Sequence, residues 1–255
     1  MIKIKSLFIS DIHLGNPNSQ AEKLLEVFKK YEFENLFIIG DFIDLTLLKR
    51  KYYWNQNHST VIQKVLRYDR KGVNVIYILG NHDHYLRTLI ENYQLEEDVK
   101  SIKLGNITIC DDYIYKSLKG EKIYITHGDC FDGFIKVHPF LYWLGDTAYE
   151  FSIKINKIYN FFRKIFGLEY WSLSAYLKSN VKSILSFLSK YKKISQEKLK
   201  NENCDSLMMG HIHTAELDSG KYYNTGDFVE TCSYIIELLN GEIKLEKCNN
   251  KNNKI

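Results

Sequence analysis

Cysteine is scarce in this 255-residue chain and poorly placed for cross-linking. The five, Cys110, Cys130, Cys204, Cys232 and Cys248, are odd in number, widely spaced and without a CxxC pair. That excludes a disulfide framework and a thiolate zinc site, and leaves reduced, structural thiols. No run of about 18 uncharged apolar residues occurs, so no membrane-spanning helix is expected. A charged–apolar–small leader is also missing. Both absences point to an intracellular protein, with attachment to a membrane surface left open. Charge of one sign is lacking too: a net +4 decides little by itself. With only 2 prolines and an apolar fraction of 45%, the chain can bury a substantial core, in one domain or one domain with a sizeable insertion.

What is present is a series of short apolar runs, each closed by glycine or polar residues. They are SLFIS (6–10), NLFIIG (35–40), VNVIYILG (73–80), NITIC (106–110), KIYITHG (122–128) and DSLMMG (205–210). Helical patterns separate the first three. Ala21, Leu24, Leu25 and Phe28 share one face, and Ile62, Val65 and Leu66 share another. Strands that are almost wholly apolar, alternating with helices, predict an α/β body whose sheet is covered on both sides. SYIIELLNGEIKLEK (233–247) reads as a hairpin through Asn240-Gly241, and the polar tail 248–255 as frayed.

Residues 131–193 have another character. They hold 16 of the 36 aromatic residues and ten Lys/Arg against four Asp/Glu, so the rest of the chain is net acidic. Helical stripes run through Phe151, Ile155, Ile158, Tyr159, Phe162, Ile165 and Phe166, and again from Leu173 to Leu188. The expectation is a helical insertion over about 131–200 within a domain spanning 1–247. Apolar residues off the main stripe, such as Phe161, exceed what one buried face needs. A basic, aromatic-rich insertion suits an anionic and partly apolar ligand or an anionic membrane surface.

Polar residues gather where the apolar runs end: SDIHLG with Asp11 and His13, GDFID with Asp41 and Asp44, GNHD with Asn81, His82 and Asp83, ITHGD with His127, and GHIH with His211 and His213. In extended chain, residues i and i+2 face the same way, so Asp11 with His13, and His211 with His213, are expected to converge. Open α/β sheets place their sites at strand ends. Carboxylates, imidazoles and an amide oxygen together suit Mn²⁺, Fe²⁺ or Zn²⁺ better than Ca²⁺ or Mg²⁺. Seven of them, Asp11, His13, Asp41, Asn81, His127, His211 and His213, are candidate ligands, too many for one ion and suited to two ions sharing a carboxylate. Two ions about 3.5–4 Å apart clamp a phosphoryl group and activate a water near neutral pH.

These five motifs, in this order, resemble the calcineurin-like metallophosphoesterases across roughly residues 6–230. The resemblance implies a four-layer α/β/β/α sandwich of two mixed sheets, here with a helical lid. It assigns Asp11, His13 and His213 to one ion and Asn81, His127 and His211 to a second, with Asp41 bridging. It gives His82 the role of stabilising the leaving oxygen, with Asp83 orienting it. IDLTLLKRKYYWNQNH, FDGFIKVHPFLYWLGDTAYE, YWSLSAYLK and YYNTGDFVE further resemble the UDP-2,3-diacylglucosamine pyrophosphatase-like branch. That implies cleavage of a diacylated UDP-sugar to UMP and a diacylglucosamine 1-phosphate in lipid A synthesis. It also implies Mn²⁺ as cofactor, with Fe²⁺ or Zn²⁺ as alternatives, and a lipid-linked sugar nucleotide as substrate. The place implied is the cytoplasmic side of the inner membrane, peripherally on its anionic surface; no nucleic-acid partner is expected. The chain carries His82 where the best-established members of that branch have arginine.

Lys49 and Arg50 follow Asp44 closely and either meet a phosphate or stay solvated. Phe151, Phe162 and Trp171 are candidates to cover acyl chains. Asp129 and Asp227 read equally as turn residues or as support for the ligands. Rival functions are a phosphodiesterase or phosphatase acting on another nucleotide or phospholipid, and a non-catalytic interaction module on the same fold.

Overall fold

The computed structural model describes residues 1–93, 101–134, 156–157, 159–168, 171–172, 197–218 and 221–248. Within them the chain runs β1 (Ile2–Ile9), α1 (Ala21–Lys30), β2 (Tyr31–Ile39), α2 (Leu45–Arg50), α3 (Gln56–Arg70), β3 (Asn74–Ile78) and α4 (His84–Tyr93). It continues through β4 (Ser101–Leu104), β5 (Ile107–Cys110), β6 (Asp112–Lys116) and β7 (Lys122–Thr126). After these come β8 (Ser206–Met209), β9 (Glu216–Asp218), β10 (Tyr222–Asn224), β11 (Ser233–Glu237) and β12 (Ile243–Lys247).

Two mixed sheets result. A 7-stranded sheet has the order β12-β11-β1-β2-β3-β5-β4, and a 5-stranded sheet the order β6-β7-β8-β10-β9. β1, β2, β3 and β5 are mutually parallel, as are β7 and β8. The period of two sorts each strand's apolar residues between two cores. Leu7, Ile9, Leu36, Ile38, Val75 and Tyr77 meet Leu24, Phe28, Val61 and Val65 of the helices. Phe8, Phe37, Ile39, Ile76 and Ile78 instead meet Ile123, Ile125 and Met208 of the second sheet. Register places Phe8 beside Phe37, and Phe37 beside Ile76. The two phenyl rings stack at 4.7 Å, with Tyr115 edge-on to both. Burying each such side chain contributes roughly 1.5–3 kcal/mol.

The α/β class, the six apolar strands and the β11–β12 hairpin match expectation. The second helical face differs: α3 turns Val61 and Val65 inward and leaves Leu66 exposed. Strands β4, β6, β9 and β10 have no counterpart among the predicted runs.

The chain divides into two compact units, one comprising Met1–Cys130 with Lys198–Ile255 and the other Phe131–Glu197. In the second, helical residues at 156–157 and 159–165 turn their polar side inward. Asn156 is buried, and the Asn160 side chain bonds both the N–H and the carbonyl of Trp171 (2.8 and 2.6 Å). The opposite half of the helix exposes Phe161, Phe162, Ile165 and Phe166, the last at 76%. The predicted second stripe, from Leu173 to Leu188, lies outside the described residues.

Candidate metal centre

Every ligand-bearing loop leaves the C-terminal end of a parallel strand: β1, β2 and β3 from the larger sheet, β7 and β8 from the smaller. The loops are not extended. Asp11, His13, Asp41, His211 and His213 have φ between 50 and 62°, and among the described residues only Asn203 and Cys232 otherwise share that region without being glycine. Left-handed backbone is costly for such residues, so its concentration in five candidate ligands marks a site whose geometry the surroundings impose. The tight turns, rather than an i, i+2 alternation, aim Asp11 and His13 inward. They also split the GHIH pair. The His213 ring lies near His13 (centroids 5.6 Å), and the His211 ring lies near His127 (5.0 Å). Gly40 makes room for this: a Cβ there would stand 2.2 Å from His127 Nδ1.

Asp41 is at the centre. Its Oδ2 is 3.4 Å from His127 Nε2, 3.7 Å from His13 Nε2 and 4.0 Å from His82 Nε2. Its Oδ1 accepts the His82 N–H at 2.9 Å. On one side His213 Nε2 meets Asp11 Oδ1 at 3.0 Å, and His13 Nε2 stands 4.0 Å from the same oxygen. On the other, His127 Nε2 faces Asn81 Oδ1 at 3.2 Å. Among the described residues, three donor groups are tight enough for an ion: Asp11–His13–His213, His13–Asp41–His82 and Asp11–Asp41–His127.

Whether these residues fit divalent ions follows from the imidazole tautomers. His127 Nδ1 lies 2.9 Å from the Ile39 carbonyl, an acceptor only, so Nδ1 carries the proton and Nε2 presents a lone pair to two oxygens. His13 Nδ1 lies against Asp44 (3.3 Å), and its buried Nε2 has no hydrogen-bond partner. A lone pair facing oxygens is repulsive unless a proton or a cation intervenes. Oxygen and nitrogen donors that meet at Asp41 therefore fit divalent metal ions.

Without an ion, protons take that place. Burial disfavours the His13 imidazolium, but the Asp44 hydrogen bond and the Asp41, Asp44 and Asp11 charges outweigh it and raise its pKa to about 9. Burial opposes the His127 charge as well, and Asp41 again prevails and raises it. Burial would raise the Asp11 carboxyl, yet His213 holds it at about 2. Burial and the neighbouring Asp41 charge push Asp83 up to about 6.

Asp83 was expected to orient His82, but its bonds lie elsewhere. Its carboxylate accepts the N–H groups of Gly80, Asp41 and Ile43 and the Tyr77 hydroxyl, pinning the two loops together. The carboxylate that meets His82 belongs to Asp44: Oδ1 lies 2.9 Å from His82 Nδ1 and Oδ2 3.3 Å from His13 Nδ1. Asp44 Oδ1 also accepts the Leu47 N–H and caps α2. GDFID displayed Asp44, but no spacing rule linked it to a histidine 38 residues away.

Asp227 is a turn residue, its carboxylate taking the N–H groups of Val229, Glu230 and Thr231. Lys49 donates to the Tyr85 hydroxyl at 2.9 Å, and Arg50 is exposed at the end of α2. Phe162 is exposed, Trp171 packs edge-on against Tyr159, and Phe151 lies outside the described residues. Burial raises the Cys130 thiol pKa, against thiolate chemistry there.

The family model for calcineurin-like phosphoesterases matches residues 4–215. The chain belongs to this family. It is a metal-dependent hydrolase of phosphoesters or phosphoanhydrides. A UDP-2,3-diacylglucosamine hydrolase of Vibrio parahaemolyticus is 24% identical to it over 92% of this chain and 97% of that protein. The UDP-2,3-diacylglucosamine hydrolase of Aliivibrio fischeri is 27% identical over 54% and 57%. A phosphodiesterase of Methanocaldococcus jannaschii is 28% identical over 47% and 56%. Among the described residues no helix is long and apolar enough to cross a membrane.

Proposed function

We propose that this phosphoesterase cleaves the pyrophosphate of UDP-2,3-diacylglucosamine to UMP and 2,3-diacylglucosamine 1-phosphate. The observation that carries the reading is Asp41 Oδ2, held among the Nε2 atoms of His127, His13 and His82 within a two-sided donor set. Supporting it are the full-length likeness to a UDP-2,3-diacylglucosamine hydrolase and the second unit's exposed aromatic surface.

When bound, two divalent ions, Mn²⁺ in this proposal, would supply the charge that binds a phosphoryl group and acidifies a water. Asp11, His13 and His213 would hold one and Asn81, His127 and His211 the other, with Asp41 placed between the two sets. The chain's own contribution is orientation. Asp44 accepts the Nδ1–H of both His13 and His82, so that both Nε2 atoms face the reacting centre. His82, raised in pKa because the Asp44 hydrogen bond outweighs burial, holds a proton at Nε2 for the departing phosphate oxygen. The basic, aromatic second unit would handle the acyl chains and rest on an anionic cytoplasmic membrane face, with Lys49 and Arg50 meeting phosphate.

The test is incubation with UDP-2,3-diacylglucosamine and Mn²⁺. UMP should accumulate with the wild type and not with Asp41→Ala. Cleavage of a simple phosphodiester without any UMP would favour the second reading, a phosphodiesterase of other substrate, which the Methanocaldococcus relative supports.

A further inference from the structure

The half of the centre formed by Asn81 and His127 draws on two different sheets, since Asn81 follows β3 and His127 follows β7. The His127 ring is anchored through Nδ1 to Ile39, but the main chain leaves it through Gly128 at φ 116°. Asn81 sits in the short loop between β3 and α4. Something must hold these two loops at the 3.2 Å spacing of Asn81 Oδ1 and His127 Nε2.

Arg87, in the first turns of α4, reaches both. Its Nη2 donates to the Leu79 carbonyl at 3.1 Å, two residues before Asn81. Its Nη1 donates to Asp129 Oδ2 at 3.3 Å, two residues after His127. Its Nε donates to Asp111 Oδ1 at 2.7 Å, in the link where the chain passes from β5 in one sheet to β6 in the other. A guanidinium offers these donors in one rigid plane, which a lysine ammonium does not. The Asp11–His13–His213 side is built differently. Asp11 itself accepts the His211 N–H and meets His213 Nε2, with no Arg87 contact among the described bonds.

We propose that Arg87 is a positioning residue for the second ion alone, setting the distance between the Asn81 and His127 loops across the two sheets. This rests on the two-ion reading of the centre. Asp111 and Asp129 complete the device, and neither belongs to a donor group found among the described residues.

The experiment is a Mn²⁺ titration of metal-free wild type, Arg87→Ala, Arg87→Lys and Asp129→Asn. Calorimetry counts the ions, and electron paramagnetic resonance reports whether they are coupled. Wild type should take two coupled ions. Arg87→Ala should keep the first at wild-type affinity and bind the second about 10–100-fold more weakly, the range typical for residues that orient ligands. Its spectrum should be that of isolated Mn²⁺. Arg87→Lys and Asp129→Asn should fall between, which also decides the matter if Arg87→Ala fails to fold. Variants that bind both ions as wild type does, or lose both equally, overturn the proposal. A wild type that takes only one ion overturns the two-ion reading and this inference with it.

Discussion

Asp44 shows how much chemistry rests on one carboxylate. It caps α2 through Leu47 and receives the Nδ1 protons of His13 and His82. Asp44→Asn should keep the cap, because asparagine caps helices as well as aspartate does. Its amide must, however, present a donor to one imidazole N–H. The expected outcome is an unchanged thermal midpoint with kcat lower by about 10–100-fold, read on a soluble phosphodiester. The histidine protons make a second prediction. Because the His13 pKa in the metal-free protein is raised to about 9, that ring is protonated at pH 7 and must release its proton to bind an ion. Metal affinity should therefore rise with pH from 7 towards 9, about tenfold per unit for each proton displaced. Calorimetry in buffers of different ionisation enthalpy measures that release. The members of the three donor groups, Asp11, His13, Asp41, His82, His127 and His213, were legible in the sequence because each lies at the end of an apolar run; His211 falls in none of the three. Their partnerships were less so. Asp83 neighbours His82 in the chain yet bonds backbone amides, whereas Asp44 reaches the same ring through the fold.

At the scale of elements, although β5 and β12 are only half-buried, most strands that could be read are buried on both faces. Their apolar runs are continuous, as in β1, β2 and β3. Strands β4 and β6 carry exposed, polar-mixed sequences, and β9 and β10 have three residues each, too short for any period to register. Loop conformation was legible least of all. An extended i, i+2 pattern predicts that His211 and His213 face the same way while serving one ion each; their left-handed backbone instead sets the His213 ring near His13 and the His211 ring near His127. The packing of the His127 ring depends on a glycine. Gly40→Ala would force a Cβ to 2.2 Å from His127 Nδ1 at a φ of +77°. It should cost roughly 1–3 kcal/mol in denaturant unfolding and weaken metal binding as well.

For the whole molecule, two sheets of different strand order bring five strand ends together, and a second unit adds surface that the hydrolytic centre does not need. Its helix is inverted, with asparagines inward and Phe161, Phe162, Ile165 and Phe166 outward beside Lys157, Arg163 and Lys164. If this surface serves lipid, Phe161→Ser with Phe166→Ser should lower UMP release from vesicle-embedded substrate at least about tenfold. Hydrolysis of a soluble phosphodiester should be unchanged, since each exposed phenyl ring is worth up to roughly 1.5–3 kcal/mol once buried in an apolar phase. Equal losses on both substrates would instead tie the helix to the hydrolytic centre. The excess of aromatics and cations in 131–193 was visible in composition; the direction each residue faces was not, because helical periodicity identifies a stripe without saying which side is covered.

The central claim is that Asp41 joins two ions held by different sets of ligands. Anomalous scattering from crystals of the Mn²⁺-loaded protein tests it most directly. Two peaks about 3.5–4 Å apart are predicted, one among Asp11, His13 and His213, the other among Asn81, His127 and His211, with Asp41 in contact with both. A single peak, or peaks that Asp41 does not bridge, would contradict the account.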